Sequence, residues 1–417
     1  MGAYLRSLAS LPPGVRRFLL GEPLLGLGVG LIAMVLNLHL LALGYDEATI
    51  GRVTSFSTLV MGAASLPAIV LCRRWGRRAV LLVGLTLMSG GTAATAAVRE
   101  LLPLALAQAV YGIGLALLLT AEVPLLYGYC TDGHARMRAF SMMFVAYTPF
   151  TALGTYLGGA LAGTLPGSTP YQAELWVAAG AMALCTLTRA CLLPSAPHRG
   201  DEIGALRAAR LPRPVWVFTG FSILSGLLYA LVTPLANLIV GAQLGGDDTA
   251  TATLLAVHAL ASSLSALLAP YLLERWGTFR TAGRLFALNA LVAAVLAVSL
   301  PVPLFVLLFL IRGSLFTLLA NVTDGQILQA VPDAQRDLLA GLRNIARNVG
   351  AAMGTWATGE ALYHELATVP FALTAAATLM AWAYFARACW PQMATWEDFG
   401  GPAPPAARRA PTGASSS

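Results

Sequence analysis

Three ionisable residues lie inside long apolar stretches of the chain, where charged side chains are scarce. Arg312 is near the middle of the stretch 303–328, Asp324 is near the end of the same stretch, and Glu122 is near the end of the stretch 101–127. An ionised group at the centre of a bilayer costs about 2.5–3.5 kcal/mol on insertion scales, so such groups usually face a cavity or a partner. These residues are therefore the first candidates for binding chemistry.

Arg312 is the strongest candidate for contact with a substrate, because it is the closest of the three to the middle of its stretch. Its planar guanidinium could neutralise a carboxylate or phosphate on a solute. It could equally hold an acidic partner such as Glu122 or Asp324. Both interpretations keep the charge away from lipid.

Glu122 and Asp324 place carboxylates at similar depth in the two halves of the chain. Either could bind a proton or a cationic substrate, because burial favours the protonated form of a carboxylate. A structural salt bridge is the alternative for each. Glu22 begins another apolar stretch, but Arg16 and Arg17 precede it closely, so we expect an ion pair at the membrane surface there.

Two Arg–Asn pairs, Arg343–Asn344 and Arg347–Asn348, are four residues apart. Residues at this spacing share one face of a helix. We expect Arg343 to extend to the membrane surface along its aliphatic stem. Arg347 is deeper, and we expect it to engage a substrate or a partner.

Five further polar residues in apolar stretches complete the set of candidates for substrate binding or proton coupling: Asn37, His39, Gln108, Asn237 and His258. Histidine can change its charge near neutral pH and so could carry a proton. For both histidines, however, a hydrogen-bonded structural role is the favoured expectation.

The elements that position these residues are membrane-spanning helices. The 417 residues are 57% hydrophobic and 11% charged, a composition far too apolar for a soluble domain of this size. About 20 apolar residues are needed for one helix to cross a bilayer core of roughly 30 Å. Twelve such spans are predicted, at 19–43, 50–71, 79–98, 101–127, 139–161, 174–193, 215–240, 249–273, 281–300, 303–328, 338–363 and 369–389.

This pattern predicts an all-α membrane protein of two six-helix bundles. The predicted N-terminal bundle is 1–193, the linker 194–214 is the longest polar interruption, and the C-terminal bundle is 215–390. The remainder, 391–417, is rich in Pro, Ala and Ser, so we expect it to be a disordered tail.

The distribution of positive charge predicts the orientation of the chain. All 26 basic residues are Arg, and with the N-terminus inside, only Arg52 and Arg99 fall in outer segments. Positive charge is retained in cytoplasmic loops, so we expect both termini to be cytoplasmic in a multi-pass plasma-membrane protein. The net charge of +7 is then explained by topology and predicts no nucleic-acid partner.

Several function classes lack the motifs they need. The five cysteines have no metal-ligand spacing and their odd number argues against a disulfide framework. Neither a phosphate-binding loop nor a nucleophile elbow is found in the sequence, which argues against an ATP-driven pump or a hydrolase. We therefore expect no enzymatic activity, no metal and no cofactor.

An internal repeat divides the chain. The tripeptide Arg74-Trp75-Gly76 after the second span recurs 201 residues later, after the eighth span, as residues 275–277, and the same offset relates Gly112 to Gly313. Duplication of six spans is typical of carriers, whose substrate sites form between pseudo-symmetric halves.

At these loops the chain resembles the major facilitator superfamily of secondary transporters. The loop motif of that family, Gly-x-Leu-x-Asp-Arg-x-Gly-Arg-Arg, is matched by Leu71, Arg74, Gly76, Arg77 and Arg78. The second copy keeps the acid of the motif, and its matching residues are Glu274, Arg275 and Gly277. The resemblance implies that these loops gate the inner side, either as charge pairs that break on rocking or as topology anchors alone.

The chain departs from the family pattern at three places. Arg73 stands at the position of the acidic latch residue, and Gln108 stands where many members have an Arg in the fourth span. Span five has glycines of an antiporter signature, Gly154, Gly158 and Gly159, but lacks its Pro. Small residues four apart, here and at Gly350 and Gly354 in span eleven, predict close helix packing.

The resemblance implies a secondary transporter, and three functions remain open. The leading hypothesis is proton-coupled efflux of small organic compounds through Glu122 or Asp324. The first alternative is uptake or symport of an anionic metabolite, based on Arg312, Arg343 and Arg347. The second is a non-transporting receptor or lipid scramblase. The expected partners are a small-molecule substrate, protons and membrane lipid, and the protein is expected to be a monomer.

Overall fold

A computed structural model describes residues 11–130, 133–164, 166–194, 213–331 and 333–397. Over this part of the chain the structure is helical, without a β-strand. The predicted linker 194–214 falls almost wholly outside the described residues, as does most of the predicted tail.

The first half contains six helical spans. Span 1 consists of Pro13–Leu19 and Glu22–Ala42, followed by span 2 (Glu47–Trp75), span 3 (Arg77–Ala97), span 4 (Leu101–Gly128), span 5 (Gly133–Ala160) and span 6 (Gln172–Leu192). Asp46 caps span 2 by accepting a hydrogen bond from the backbone N–H of Thr49, which satisfies one of the unpaired N–H groups at the start of the helix.

The second half repeats the pattern with two interruptions. Span 7 is broken into Arg213–Ala230 and Ala236–Gln243 by a short 3₁₀ turn, Thr233–Leu235, and span 8 into Asp248–Ala266 and Ala269–Trp276. The others are span 9 (Thr278–Leu296), span 10 (Val302–Gln329), span 11 (Asp333–Tyr363) and span 12 (Val369–Tyr384), which continues through a π-helical turn into Trp390–Glu397. The break in span 7 includes Pro234, which cannot donate a helical hydrogen bond.

Ten of the described spans are long and apolar enough to cross a membrane. Spans 5 and 11 are less apolar, yet with 28 and 31 residues they are at least about 42 Å long at 1.5 Å per residue. Span 5 packs on spans 1 and 8, and span 11 packs on spans 2 and 7. Each of these two helices therefore packs on one helix of each half. The prediction of an all-α membrane protein is confirmed, and the helices of the described residues are consistent with the predicted number of twelve spans.

Glycines bring pairs of helices into backbone contact in both halves. A Cβ atom on Gly154 would lie 2.3 Å from the carbonyl oxygen of Leu27, and one on Gly350 would lie 1.9 Å from that of Ile223. No larger residue fits at such distances. The predicted close packing is confirmed, between spans 1 and 5 and between spans 7 and 11.

The loops after spans 2 and 8 have the same backbone shape. Gly76 and Gly277 end their helices with φ of 84° and 72°, a region that residues with a side chain seldom adopt. We call the face that carries these two loops the inner face, and the opposite face the outer face. The repeated Arg-Trp-Gly sequence therefore encodes a repeated turn.

Candidate functional site

A cavity of about 170 Å³ lies between the two halves. Its walls come from spans 1 and 5 of the first half and spans 7, 8 and 10 of the second. Sites of this kind, mostly apolar with a few polar groups, are typical of small-molecule binding. The lining residues are Ala33, Thr151, Thr155, Val232, Thr233, Ala236, Leu255, His258, Ala259, Phe309 and Arg312.

Arg312 is the cationic residue in this lining. It is 2% exposed, and its Nη2 donates to the carbonyl oxygen of Leu228 at 3.2 Å. Its Nε has no hydrogen-bond partner. Among the described residues no carboxylate forms an ion pair with Arg312, so of its two predicted roles the one with Glu122 or Asp324 as an acidic partner is not observed. Both acids are paired with other arginines.

His258 lies beside Arg312 in the same lining. A Cβ atom on Gly313 would lie 1.8 Å from the Nε2 atom of His258, so the glycine makes room for the imidazole. The ring also packs on Phe309, with centroids 5.1 Å apart. In the first half the equivalent glycine, Gly112, accommodates the backbone of span 2 instead.

A buried ion cluster lies at the inner end of the first half. Arg189 of span 6 donates from Nη2 to Glu22 of span 1 at 2.5 Å and from Nη1 to Glu122 of span 4 at 3.1 Å. Its guanidinium carbon is 4.5 Å from the centroid of the Phe18 ring. We call Glu22, Arg189 and Glu122 the first-half cluster; their side chains are 2%, 0% and 11% exposed.

The first-half cluster corrects two expectations. Glu22 does not form the predicted surface pair, because it is buried against Arg189. The charge distribution assigns Arg189 only to an inner segment and gives it no partner, whereas the structure buries it between two carboxylates. The local environment explains its burial: a Cβ atom on Gly21 would lie 2.8 Å from the Nε of Arg189, so the absence of a side chain there leaves space for the guanidinium.

A second ion cluster lies at the inner end of the second half. Asp324 of span 10 accepts hydrogen bonds from Arg343 and, at 2.5 Å, from Arg347, both of span 11. The Nε of Arg343 also donates to the hydroxyl of Ser222 in span 7 at 3.0 Å. We call Asp324, Arg343 and Arg347 the second-half cluster; their side chains are 25%, 7% and 38% exposed. The expectation that Arg343 extends to the surface is wrong.

Asn37 and Asn237 join the two halves on the outer side. Asn37 Nδ2 donates to Asn237 Oδ1 at 2.9 Å, and Asn237 Nδ2 donates to the carbonyl oxygen of Met34 at 2.6 Å. Nearby, the hydroxyl of Tyr171 donates to Asp248 at 2.6 Å, again across the halves. These contacts close the outer side of the cavity.

Gln108 and His39 lie within the first half and do not line the cavity. The side-chain amide of Gln108 donates to the hydroxyl of Thr95 at 2.8 Å. His39 Nδ1 is 2.7 Å from the hydroxyl of Thr169, and the residue is 1% exposed. Their contacts are those of structural polar residues.

The loop-motif arginines contact their own half. Arg77 donates to the carbonyl oxygen of Pro124 at 3.3 Å, and Arg78 to that of Ala190 at 2.7 Å. In the second copy Arg275 donates to the hydroxyl of Tyr271 at 2.7 Å. Within the described parts of the chain, no ion pair joins Arg74 or Glu274 to the opposite half.

Comparison with known proteins identifies the fold. The Major Facilitator Superfamily sequence profile matches residues 18–355, whereas no curated protein matches the chain. Among solved structures, the nucleoside transporter NupG superposes with a TM-score of 0.73 at 14% identity, covering 89% of this chain and 98% of that chain.

Two other solved structures are similarly close. A bacterial homologue of the human lysosomal transporter Spinster, inward-facing and unoccupied, has a TM-score of 0.72 at 13% identity over 92% of this chain and 97% of its own. A D-xylose–proton symporter has a TM-score of 0.71 at 14% identity over 91% and 98%. At such identities the likeness concerns the fold alone.

Proposed function

The chain belongs to the major facilitator superfamily, and on that premise we propose that it moves a small organic solute across the membrane in exchange for protons, which bind at the first-half cluster. The solute occupies the cavity between the halves. As the distribution of arginines predicts, both termini are proposed to be cytoplasmic and the inner face to be the cytoplasmic face.

The charge balance of the first-half cluster is the observation that carries this proposal. Two carboxylates share one guanidinium, so the fully ionised cluster holds one excess negative charge among side chains that are at most 11% exposed. An uncompensated buried charge costs several kcal/mol. Binding one proton to Glu22 or Glu122 removes that charge while leaving an ion pair with Arg189.

Of the two carboxylates, Glu122 is the more accessible to a proton from water, because it is 9% exposed whereas Glu22 is 1% exposed. All three members belong to one half, on spans 1, 4 and 6. Rocking of the two halves would therefore change the access of water to Glu122 without breaking its ion pair. Alternating access by rigid-body rocking around a central site is the mode expected of inverted-repeat carriers.

The outer contacts support the same cycle. The Asn37–Asn237 and Tyr171–Asp248 hydrogen bonds close the outer side, and both pairs must separate before a solute reaches the cavity from that side. A neutral hydrogen bond such as Asn37–Asn237 contributes about 0.5–1.5 kcal/mol, and one to a carboxylate, as in Tyr171–Asp248, about 1.5–3 kcal/mol. So few bonds of this strength can be broken and remade in each cycle.

Proton coupling can be tested in proteoliposomes that contain the full chain and a trapped pH-sensitive dye. We expect addition of a transported solute from a panel of small organic compounds to drive proton movement. Glu122→Gln and Glu22→Gln should each abolish this movement, because either variant leaves one carboxylate paired with Arg189 and no second carboxylate to bind the proton. Glu100→Gln, an exposed carboxylate at the start of span 4, is the matched control and should behave as the unmodified protein.

The direction of the proton signal separates exchange from symport. Protons that leave the vesicle as the solute enters indicate exchange, and protons that enter with it indicate symport. Solute-driven proton movement that persists in the Glu22→Gln/Glu122→Gln double variant would remove the proposed coupling site. A receptor or scramblase would show no solute counterflow at all.

A further inference from the structure

Arg312, the cation in the cavity lining, has no acidic partner among the described residues. Arg312 is 2% exposed, its Nε has no hydrogen-bond partner, and the described lining includes no carboxylate. A guanidinium offers five N–H donors, and a hydrogen bond to the carbonyl oxygen of Leu228 satisfies only one of them. Burying a charge in this way is costly unless a partner is supplied.

The fold does not require this charge. Arg312 precedes Gly313 in span 10, and the residue that precedes the equivalent Gly112 in span 4 is Tyr111. The first half therefore builds the same helix with a neutral side chain. Ionisable residues kept inside membrane spans usually mark a functional site, and here the position faces the cavity between the halves.

The other polar side chains of the lining, Thr151, Thr155 and Thr233, carry no charge, so Arg312 is the group that can neutralise an anion. The hydroxyl of Thr151 donates to the carbonyl oxygen of Tyr147 at 3.1 Å, and that of Thr155 donates within its own helix at 3.0 Å. Their protons are thus already used. The imidazole of His258, held in place by Gly313, is the second nitrogen-bearing group beside the cavity.

The size and walls of the cavity limit the body of the ligand. The volume is about 170 Å³, and an apolar cavity of about 150 Å³ is known to be large enough to hold benzene. The remaining walls are mainly aliphatic, with Leu255 and Val232, and aromatic, with Phe309. One ring or a short branched chain fits this space.

From this geometry we infer that the cavity binds a small organic anion, a carboxylate with a compact apolar body, through Arg312 with His258 beside it. The guanidinium fork matches the two oxygens of a carboxylate. The role of this site in transport rests on the proposed function, whereas its binding of an anion can be measured on its own.

The test uses the purified full-length protein and two ligands of nearly the same shape, benzoate and benzamide. A ligand that binds only the folded state raises the thermal midpoint in proportion to the logarithm of its concentration. We expect benzoate to raise the midpoint and benzamide to have little effect. In Arg312→Gln the affinity for benzoate should fall at least about tenfold, because the charge-assisted pair is lost.

Two further variants keep the result interpretable. Arg52→Gln removes an exposed arginine at the outer end of span 2 and should leave the preference for benzoate intact. His258→Gln should reduce that preference even if Arg312→Gln fails to fold. Equal shifts with both ligands, or no shift with either, would overturn the anion site.

The outcomes also separate this inference from the proposed function. Selective benzoate binding without any solute-driven proton movement would retain the anion site and remove proton coupling. Proton coupling without a preference for benzoate over benzamide would retain proton coupling and remove the anion site.

Discussion

Each half has an ion cluster near its inner end, but the excess charge of the two clusters has opposite sign. The first-half cluster has two carboxylates and one arginine with side chains at most 11% exposed, whereas the second-half cluster has one carboxylate and two arginines that are up to 38% exposed. An excess charge near water is screened, but one in a dry interior is not. The proposed function accordingly assigns the proton to the buried cluster, whereas solvent screens the excess charge of the exposed one.

Removing the central cation of the first-half cluster should have the largest effect. Arg189→Met leaves two carboxylates facing each other without a counter-charge, and breaking a buried pair costs about 3–5 kcal/mol. We expect a large fall in the thermal midpoint of the purified protein, or loss of folded protein. The triple variant Arg189→Met/Glu22→Gln/Glu122→Gln should recover most of the lost thermal midpoint. If it does not, packing of the arginine on Phe18, rather than charge, dominates the stabilisation by Arg189.

Asp324→Asn should have an intermediate effect. It removes the shared acceptor of Arg343 and Arg347 and leaves two cations close together, which we expect to cost about 1–3 kcal/mol. The cost is lower than for Arg189 because water reaches Arg347, whose side chain is 38% exposed. Thermal unfolding of the two variants side by side measures the difference, and an equal or larger loss in Asp324→Asn would contradict the comparison.

Arg347→Gln should have the smallest effect and the clearest salt dependence. A partly exposed ion pair contributes about 0–1 kcal/mol, and salt weakens it because the Debye length falls to about 3 Å at 1 M. The midpoint difference between Arg347→Gln and the unmodified protein should shrink as NaCl is raised. The difference for Glu22→Gln should stay unchanged, since that carboxylate is 1% exposed.

Much of the fold could be predicted because hydropathy and length are local properties. Span 4 was expected at 101–127 and is observed at Leu101–Gly128, and span 10 was expected at 303–328 and is observed at Val302–Gln329. The interruption of span 7 at Pro234 could also be expected from the sequence, because proline cannot donate a helical hydrogen bond. The helix contacts at Gly154 and Gly350 followed from small residues at helical spacing.

The candidate site was predicted less completely. Arg312 was identified from its place in an apolar stretch, but its lack of an acidic partner was not. Arg189 was missed, because an arginine near the end of a span usually marks topology. A signal was present: Glu22, Glu122 and Arg189 all stand toward the inner ends of predicted spans, so a pairing among them could have been considered.

The sequence by itself determined the membrane-spanning character, the duplication of six helices and the set of polar residues that apolar helices retain. These depend on composition and spacing along the chain. Only the tertiary structure decided which charges meet, because the partners stand on different helices, and Glu22 and Arg189 are separated by 167 residues. Each pairing depends on how a helix is rotated about its axis, and that rotation is set by packing against its neighbours.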